Sequence, residues 1–435
     1  MTATLLAMSD FTPNRRDFLA GRALRDEIVA VGQATGDALF DTAEEPRREP
    51  SSAATVRLTT AAMATDFAVI LNEALPDDPR QPLRWASEAL DLVHVLENQI
   101  SVYRPNTELS QLNRIAASRP VQVEERLFDL LRRARDIANE TGGGFDPTSG
   151  QLIALWRQCR NEVRLPAEVE IAERLALVGM QHVKFGTDSS PLPLGEGGRR
   201  PGEGFEEYSE GRVRKSEIST PSFPPSAFRL PPSNIVPHPS PLPEGEGTGR
   251  DTSIAFDRDG VELNLGSIGK GYALDRAAEI LNEHELTEWL LQGGHSSVIA
   301  RGGHNGLPGW PVGLRNPLLP QRRLGTILLR DQTLATSRTA VQHYLFDGKR
   351  DGHILDPRSG WPVDNMLSVT VLAPTSAEAD ALSTAFFVGG VELAERYCHN
   401  HPLVSALLIP PPSGGQRLEP INIGVSEETL FWNDE

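Results

Sequence analysis

The hydrophobic and polar positions of the chain become regular from Thr55 onward. The segment TVRLTTAAMATDFAVIL, which begins there, alternates apolar and polar residues with the period of two that half-buried strands show. The segment LRWASEALDLVHVLENQIS instead places apolar residues three and four positions apart, at Leu83, Ala86, Leu90 and Val93, which gives a helix one apolar face. The pattern predicts a pair of strands followed by an amphipathic helix.

Two further helices are predicted from periodicity and from capping signals. EERLFDLLRRARDIANETGGG is periodic and ends in glycines, which terminate helices because they adopt left-handed backbone angles easily. In PTSAEADALSTAFFVGG, Thr375 and Glu378 fit a capping box, so a helix is expected to begin there. That helix would carry Asp380 and Thr384 one turn apart on one face.

The strand pattern is interrupted in the middle of the chain. MQHVKF ends at Phe185 and SIAFDRDGVELNLG resumes the alternation at Ser253, whereas residues 186–251 are rich in proline and glycine and show almost no periodicity. Two similar phrases, SPLPLGEGGRRPGEG and SPLPEGEGTGR, bracket this segment. Because such a segment cannot bury enough apolar surface to offset its ordering entropy, we predict a disordered insertion between two strands that a short turn would otherwise join. A proline-rich docking loop is the alternative, since PSFPPS and RLPPSNIVP suit polyproline II ligands.

The insertion sets the predicted domain organisation. Residues 1–54 read as a polar tail or linker, residues 55–185 and 252–430 as one discontinuous domain, and residues 186–251 as the low-complexity insertion. TPNRRDFLAG resembles a twin-arginine export signal, but the charged segment RALRDEIVAVGQATGD follows where an apolar stretch is expected. A cytoplasmic location is therefore favoured, and export to the periplasm stays open. No run of eighteen apolar residues occurs, so no transmembrane segment is predicted.

Charge and cysteine content narrow the classes of function. The 435 residues are 39% hydrophobic and carry a formal net charge of −17, which argues for a globular protein without the clustered Lys and Arg that nucleic-acid binding needs. The two cysteines, Cys159 and Cys398, cannot form a disulfide framework and lack metal-ligand spacing. Both are expected to be small buried residues.

The first segment with candidate chemistry is ELNLGSIGKGYALDRAAEIL. It predicts a short strand, a tight turn through Gly266, Gly269 and Gly271, and then a helix. Lys270 adds a positive charge at the helix N-terminus, where backbone N–H groups and the helix dipole attract anions. The glycine spacing is not that of a Walker A loop. A nucleotide-phosphate site and a purely structural turn are both consistent with this segment.

Other segments offer metal ligands and a base. Asp380 and Thr384 are hard oxygen donors that suit a Mg²⁺ ion with positions left for water and substrate phosphates, although an ordinary solvated helix face has the same composition. In DGHILDPRSGWPV, His353 precedes a turn and is either a candidate general base or a structural histidine. In TGGGFDPTSGQLIALW, Asp146 follows three glycines, which either admit a flat ring or cap the preceding helix, and in SVYRPNTELSQLN Tyr103 lies beside a turn.

The order and wording of these segments resemble the ApbE-like family of FAD:protein FMN transferases. The resemblance rests on MATDF from Met63, SVYRPNTELSQLN from Ser101, GGGFDPTSGQLIALW from Gly142, NLGSIGKGYALD from Asn264, LLQGGHSSVIARG from Leu290, DGHILDPRSGWPV from Asp351 and ADALSTAFFVGG from Ala379. Together they span about residues 56–400 outside the insertion.

The resemblance implies an α+β fold of the T-fold-like type of that family, with FAD as substrate and Mg²⁺ as cofactor. It also implies transfer of the FMN half of FAD to a Ser or Thr hydroxyl of an acceptor protein of the redox-subunit type, with release of AMP. Mg²⁺ would be bound by the side chains of Asp380 and Thr384 and the backbone carbonyl of Ser267, and His353 would be the base that activates the hydroxyl. The residues implied to line the flavin or adenine pocket are Met63, Tyr103, Gly144, Phe145, Asp146, Asn264, Lys270 and Ile354.

The chain departs from the family pattern at two positions. Asn264 stands where many members have an acidic residue, and Arg338 stands where the family usually has Gly. Arg338 is therefore expected either to narrow acceptor access or to add a phosphate contact. Two other functions stay open: Mg²⁺-dependent hydrolysis of FAD to FMN and AMP, and non-catalytic flavin binding.

Overall fold

The computed structural model describes residues 55–72, 80–186, 250–339, 344–346, 349–351, 354–413 and 417–433. The helices in these ranges are α1 (Arg80–Ile100), α2 (Glu108–Ile115), α3 (Glu125–Glu140), α4 (Gly150–Asn161), α5 (Glu168–Leu175), α6 (Gly269–Glu283) and α7 (Ser376–Asn400). The strands are β1 (Thr55–Ala62), β2 (Thr65–Asn72), β3 (Val121–Gln122), β4 (Val183–Phe185), β5 (Ser253–Phe256), β6 (Trp289–Gly293), β7 (Ser297–Arg301), β8 (Trp310–Arg315), β9 (Arg323–Leu329), β10 (Gln332–Arg338), β11 (Tyr344–Phe346), β12 (Lys349–Asp351), β13 (Ser368–Ala373), β14 (Ser405–Ile409), β15 (Ile421–Ile423) and β16 (Leu430–Trp432).

An antiparallel sheet with the strand order β1–β2–β6–β7–β10–β13–β14–β15 forms the centre of the described part. In β2, Phe67, Val69 and Leu71 point into the larger core, to which α1, α6 and α7 contribute their apolar faces. Ile70 points the other way, into a second core around Trp310 that the smaller sheet β16–β9–β8 covers. Because the central sheet is covered on both faces, inner strands such as β6 and β13 are buried along their whole length. The expected α+β class is confirmed.

The predicted strand pair and the first helices are confirmed. Strands β1 and β2 pair antiparallel along their whole length. Helix α1 buries the predicted Ala86, Leu90 and Val93. Helix α3 is followed by Gly142 and Gly143, whose φ angles of 59° and 76° lie in the left-handed region, so these glycines end the helix as expected.

Helix α7 begins where the capping signal predicts. The N-cap Thr375 accepts a hydrogen bond from the Glu378 N–H at 3.2 Å through its side-chain oxygen. Further along, Gly390 has a φ of 72° and interrupts the helical backbone. The first four turns, which carry Asp380 and Thr384, are regular.

The strands on either side of the predicted insertion pair with each other. Phe185 of β4 lies opposite Ile254 of β5, in an antiparallel register that continues to Val183 and Phe256. The described residues on both sides belong to one compact unit. The predicted tail at 1–54 and almost all of the predicted insertion at 186–251 lie outside the described residues, so this part of the domain organisation stays a prediction.

The predicted strand at ELNLG is wrong, although its alternation is real. Val261, Leu263 and Leu265 are buried, yet the segment has only an isolated bridge between Glu262 and Ser149. The backbone of Leu263 bonds instead to a side chain: its carbonyl accepts from Asn113 Nδ2 and its N–H donates to Asn113 Oδ1, both at 2.9 Å. An extended buried segment thus satisfies its backbone without a neighbouring strand.

The predicted glycine turn needs a correction as well. Helix α6 already begins at Gly269, so Gly269 and Gly271 are helical residues and only Gly266 lies in the turn. A Cβ atom at Gly271 would lie 2.1 Å from the carbonyl oxygen of Ser376. The glycine is therefore needed because it lets α6 and α7 approach closely, and not because of a turn.

The sequence also predicts that both cysteines are buried and that there is no transmembrane segment. Cys159 and Cys398 are both buried and free, as expected. In the part of the chain that the structure describes, no helix combines the length and the apolar character needed to cross a bilayer.

Candidate functional site

One cleft brings together most of the site residues that the sequence predicts. It has a volume of about 780 Å³ and lies between the loop after α3, the start of α6, the end of β10 and the first turns of α7. The predicted residues that line it are Gly144, Phe145, Asp146, Asn264, Ser267, Lys270, Ile354, Asp380 and Thr384. His353 lies outside the described residues, next to Ile354.

A second cavity of about 300 Å³ adjoins the cleft and is lined by the other two predicted residues, Met63 and Tyr103. The cleft and this cavity share Asn264, Gly266 and Lys270. The two spaces therefore meet at the start of α6. Each of the two spaces has a volume within the range of about 300–1,000 Å³ that is typical of small-molecule and cofactor sites.

The carboxylate of Asp380 is buried and held from two sides. Its Oδ2 accepts a hydrogen bond from the Gly271 N–H at 2.7 Å and its Oδ1 accepts one from Ser297 Oγ at 2.5 Å. Each carboxylate oxygen has a further lone pair, so Asp380 is fixed in orientation and can still bind a cation. The first turn of α6 and the start of β7 thus orient a carboxylate that belongs to α7.

Thr384 lies one turn after Asp380 and lines the same cleft. Its hydroxyl donates to the Asp380 backbone carbonyl at 3.4 Å and lies 3.3 Å from Ser337 Oγ. The backbone of Ser267 is in the turn just before α6, on the same cleft. A carboxylate, a hydroxyl and a carbonyl form an all-oxygen donor set of the kind that Mg²⁺ prefers, with positions left for water and phosphate. The described residues contain no cluster of three or more His, Cys, Asp or Glu side chains that would indicate another kind of metal centre.

Asp146 is mainly a structural anchor in this structure. Its Oδ1 accepts from the Thr148 N–H at 2.9 Å and from Thr148 Oγ1 at 2.6 Å, and Thr148 Oγ1 in turn accepts from the Gly179 N–H at 2.6 Å. Burial raises the pKa of Asp146 above its ordinary range, although the Thr148 bonds oppose this. The network fixes the glycine-rich loop, and a Cβ at Gly144 would lie 3.1 Å from the Ala385 carbonyl of α7.

Asn264 organises the turn that leads into α6. Its N–H donates to the Pro147 carbonyl at 2.7 Å, and its side-chain Oδ1 accepts from the Gly266 N–H at 2.9 Å. An Asp at this position could accept the same hydrogen bond from the Gly266 N–H with one of its carboxylate oxygens. Asn264 therefore supports the turn as an Asp would, but it presents a neutral amide to the cleft instead of a negative charge.

Met63 is part of a strained hairpin turn. Met63 and Ala64 connect β1 to β2 with φ angles of 50° and 59°, which is the left-handed region that non-glycine residues avoid. The Met63 N–H donates to Glu97 Oε1 of α1 at 2.8 Å. Strained turns of this kind are concentrated at functional sites, and this one forms a wall of the smaller cavity.

Tyr103 lies at the mouth of the same cavity and is 63% exposed. The Arg157 guanidinium lies 4.3 Å above the ring, and its Nη2 donates to the Tyr103 hydroxyl at 2.6 Å. An exposed aromatic ring that is held in this way is available to stack on a planar ligand.

The fold brings to the site several residues that the sequence patterns did not indicate. Asp275 of α6 accepts from the N–H groups of Ser376 and Ala377 at 2.8 and 2.9 Å and so anchors the start of α7. His295 and Arg315 line the cleft beside Arg338. Asp275 and His295 lie inside segments that carry the family resemblance, but Arg315 has no signal in the sequence.

Comparison with known proteins identifies relatives that match most of the chain. The model of the ApbE family matches residues 59–203 and 239–408, which is more than half of the chain. A FAD:protein FMN transferase of Klebsiella pneumoniae is 26% identical over 310 residues, covering 71% of this chain and 76% of that protein. A FAD:protein FMN transferase of Treponema pallidum is 27% identical over 334 residues, covering 74% of this chain and 76% of that protein.

Solved structures confirm the fold that the resemblance implies. The flavin transferase ApbE from Vibrio cholerae superposes with a TM-score of 0.61 at 21% identity, covering 85% of this chain and 97% of that one. The ApbE protein from Thermotoga maritima gives a TM-score of 0.61 at 24% identity, covering 84% of this chain and 96% of that one. The arrangement of helices and sheets around the cleft is therefore shared with these proteins.

Proposed function

Since the chain belongs to the ApbE family, we propose that it is a transferase that moves FMN from FAD to a Ser or Thr hydroxyl of an acceptor protein and releases AMP. The observation that carries this proposal is that one cleft gathers an oriented carboxylate, a hydroxyl and a lysine next to a cavity with an exposed aromatic ring. The FAD:protein FMN transferases of Klebsiella pneumoniae and Treponema pallidum align with most of the domain that forms this cleft.

The residues divide into groups with different tasks in this reaction. Met63, Tyr103 and the loop around Phe145 would line the ring systems of FAD, because they are the apolar and aromatic parts of the two spaces. Lys270, at the start of α6, would face the diphosphate, where its charge adds to that of the helix N-terminus. The negative part of the substrate would then lie beside Asp380 and Thr384.

Asp380, Thr384 and the Ser267 carbonyl would bind Mg²⁺. The ion, when bound, supplies positive charge that stabilises the oxygens of the transferring phosphoryl group. The protein contributes by holding these donors in place, since hydrogen bonds from the Gly271 N–H and Ser297 Oγ fix the Asp380 carboxylate.

The transfer step exchanges one P–O bond for another. The acceptor hydroxyl oxygen attacks the phosphorus on the FMN side of the diphosphate, a new P–O bond forms, and the bond to the bridging oxygen breaks so that AMP leaves. The hydroxyl proton goes to a base, for which we propose His353. With water in place of the hydroxyl the same chemistry yields free FMN and AMP, which is the hydrolase alternative.

Mass spectrometry of an acceptor protein tests the proposal directly. A protein with an exposed Ser or Thr in the family's acceptor motif is incubated with the full chain, FAD and Mg²⁺, and AMP is measured in parallel. We expect a mass gain of one FMN on the acceptor that disappears with EDTA. AMP release at the same rate with and without acceptor, and no mass gain, would make the protein a hydrolase, and FAD binding without AMP release would make it a binding protein.

A further inference from the structure

One end of the cleft is basic. It is formed by His295, Ser296, Arg315, Thr336 and Arg338, which line both the cleft and an adjoining small cavity; we call these five residues the basic end. Among the described residues that line the small cavity there is no Asp or Glu. In a chain with a net charge of −17, an enclosed surface of this composition is the kind that attracts an anionic ligand.

The three basic side chains come from separate elements that the fold brings together. His295 lies in the turn between β6 and β7, Arg315 is the last residue of β8, and Arg338 is the last residue of β10. Burial and the neighbouring Arg315 lower the pKa of Arg338, and burial and Arg338 lower the pKa of His295. The groups therefore lie near enough to repel one another, and a bound anion would relieve this repulsion.

Arg338 lacks a counter-charge within the described part of the chain. No described side chain forms a hydrogen bond or ion pair with its half-buried guanidinium, whereas Arg358 is paired with Asp356 at 2.8 Å. A half-buried arginine without a carboxylate partner has lost part of its hydration without compensation. Its five N–H donors are available to a ligand.

The basic end lies beside the proposed metal ligands. Ser337, the residue before Arg338, lies 2.8 Å from Ser383 Oγ and 3.3 Å from Thr384 Oγ1 through its own hydroxyl. Thr384 and Arg338 line the same cleft. Ser337 and Arg338 are neighbours on β10 and point to opposite faces of the sheet, so it is the shared cleft that places a phosphate bound near Thr384 on the same space as the Arg338 side chain.

We propose that Arg338, with Arg315 and His295 beside it, forms a phosphate-binding subsite in addition to Lys270 and the metal ligands. The inference rests on the proposed function, because the phosphates in question are those of FAD and of the product AMP. A guanidinium matches a phosphate with two parallel hydrogen bonds, and the FAD diphosphate carries charge on both phosphorus atoms. The subsite would bind one of the two FAD phosphates, namely the one that lies nearer to Arg338 at the end of β10.

Binding of phosphates without turnover tests the subsite. Titration calorimetry of the full chain with inorganic pyrophosphate and, separately, with AMP is carried out in EDTA, so that neither metal nor acceptor is needed. We expect Arg338→Gln to weaken binding about ten-fold, equivalent to about 1.4 kcal/mol, and Arg338→Lys to lie between it and the parent. Arg330→Gln removes the same charge from a side chain that is 62% exposed and lines neither cavity, and it should bind as the parent does.

The two probes distinguish the source of the phosphate. Weakening of both AMP and pyrophosphate binding assigns the subsite to the AMP side of FAD, and weakening of pyrophosphate binding alone assigns it to the FMN side. Equal affinities of Arg338→Gln and the parent for both probes would overturn the proposal. A folded state of each variant is checked by its thermal unfolding curve, and Arg338→Lys, which keeps the charge and length, provides the test if Arg338→Gln does not fold.

Kinetics separate this inference from the function on which it rests. If the parent transfers FMN, Arg338→Gln should raise KM for FAD about ten-fold and leave KM for the acceptor protein unchanged. A change confined to KM for the acceptor would assign Arg338 to an acidic group of the acceptor and overturn the phosphate subsite. If the parent does not transfer FMN, the proposed function fails while the calorimetry still decides whether the basic end binds phosphate.

Discussion

At the scale of single residues, Asp380 is the proposed metal ligand whose orientation the fold determines most directly. It lies on α7, but the groups that fix its carboxylate come from α6 and β7. A carboxylate that is already oriented and partly desolvated loses little freedom on binding a cation. The site therefore depends on the contact between α6 and α7 as much as on Asp380 itself.

Asp380→Asn tests this role with a nearly isosteric change. The amide can still accept the hydrogen bond from Gly271, but it lacks the negative charge, so we expect FMN transfer to fall by at least on the order of 100-fold because metal binding is lost. Asp364→Asn, at an exposed position away from the cleft, is the matched control. Transfer by Asp380→Asn at the parental rate, with an unchanged Mg²⁺ dependence, would contradict the assignment of Asp380 as a metal ligand.

The strained turn at Met63 and Ala64 is the second feature at this scale. Two non-glycine residues in the left-handed region cost roughly 1–2 kcal/mol each, and they are retained at a wall of the smaller cavity. The hydrogen bond from the Met63 N–H to Glu97 holds the turn against α1. The main chain at Met63 is therefore presented to the cavity in a fixed conformation.

Ala64→Gly should stabilise the protein. Glycine removes the left-handed strain at an exposed position, and after subtraction of its greater freedom in the unfolded chain we expect a net gain of about 0.5–1 kcal/mol. Urea unfolding measures the change. Ala61→Gly, three residues earlier in β1, gives the unfolded chain the same freedom without relieving strain and should destabilise by about 0.5–1 kcal/mol. Destabilisation by both substitutions would mean that the turn is not strained at Ala64.

At the scale of elements, the start of α7 is tied to α6. Asp275 accepts hydrogen bonds from the first two N–H groups of α7, and the lack of a side chain at Gly271 allows the helices to meet. Burial raises the pKa of Asp275 to about 7, with the two N–H donors opposing the shift. The helix contact that orients Asp380 is therefore sensitive to protonation near neutral pH.

This sensitivity gives a signed pH prediction for stability. The pKa of Asp275 rises from 3.8 in the unfolded chain to about 7 in the folded one, so its contribution to stability is complete below about pH 4 and is lost as the pH rises through about 7. Asp275→Asn cannot titrate. The stability of the parent relative to Asp275→Asn, measured by urea unfolding in EDTA, should fall between about pH 4 and about pH 7. A constant difference over this interval would show that the carboxylate is not desolvated in solution.

Periodicity in the sequence predicted those elements that bury one face against the core. Helix α1 and the β1–β2 pair follow this rule. The same rule failed at residues 261–265, because an extended segment whose partner is the Asn113 side chain has the alternation of a strand without being one. A single sequence contains no signal for such a partner, which lies far away along the chain.

The sequence predicted the proximity of two site residues only where both lie on the same helix or strand. Asp380 and Thr384 are four residues apart on α7, and that spacing is visible in the sequence. Arg315 and Arg338 end different strands, and Asp275 lies on another helix, so only the packing of the whole domain brings them to the site. Their proximity therefore required the structure.

At the scale of the whole molecule, the chain returns to the same small sheet after residues 186–251. Strand β5 lies between β3 and β4, and Phe185 is opposite Ile254. The pairing needs only a short connection, since hairpin loops of four residues are common. The site residues in the described part of the chain all belong to elements outside the segment.

Deletion of residues 188–251 should therefore give a folded protein. It leaves Gly186, Thr187, Thr252 and Ser253 as the loop between the paired residues Phe185 and Ile254, and shortening the loop lowers the entropic cost of closing it. We expect a midpoint of thermal unfolding at or above that of the full chain and FMN transfer within about two-fold of it, since each doubling of loop length costs only about 0.6 kcal/mol. The matched control is replacement of residues 188–251 by a Gly/Ser linker of equal length. Loss of transfer in the deletion variant but not in the linker variant would mean that the connection needs its length. Loss of transfer in both variants would assign a functional role to residues 188–251 themselves, as the alternative of a proline-rich docking loop requires.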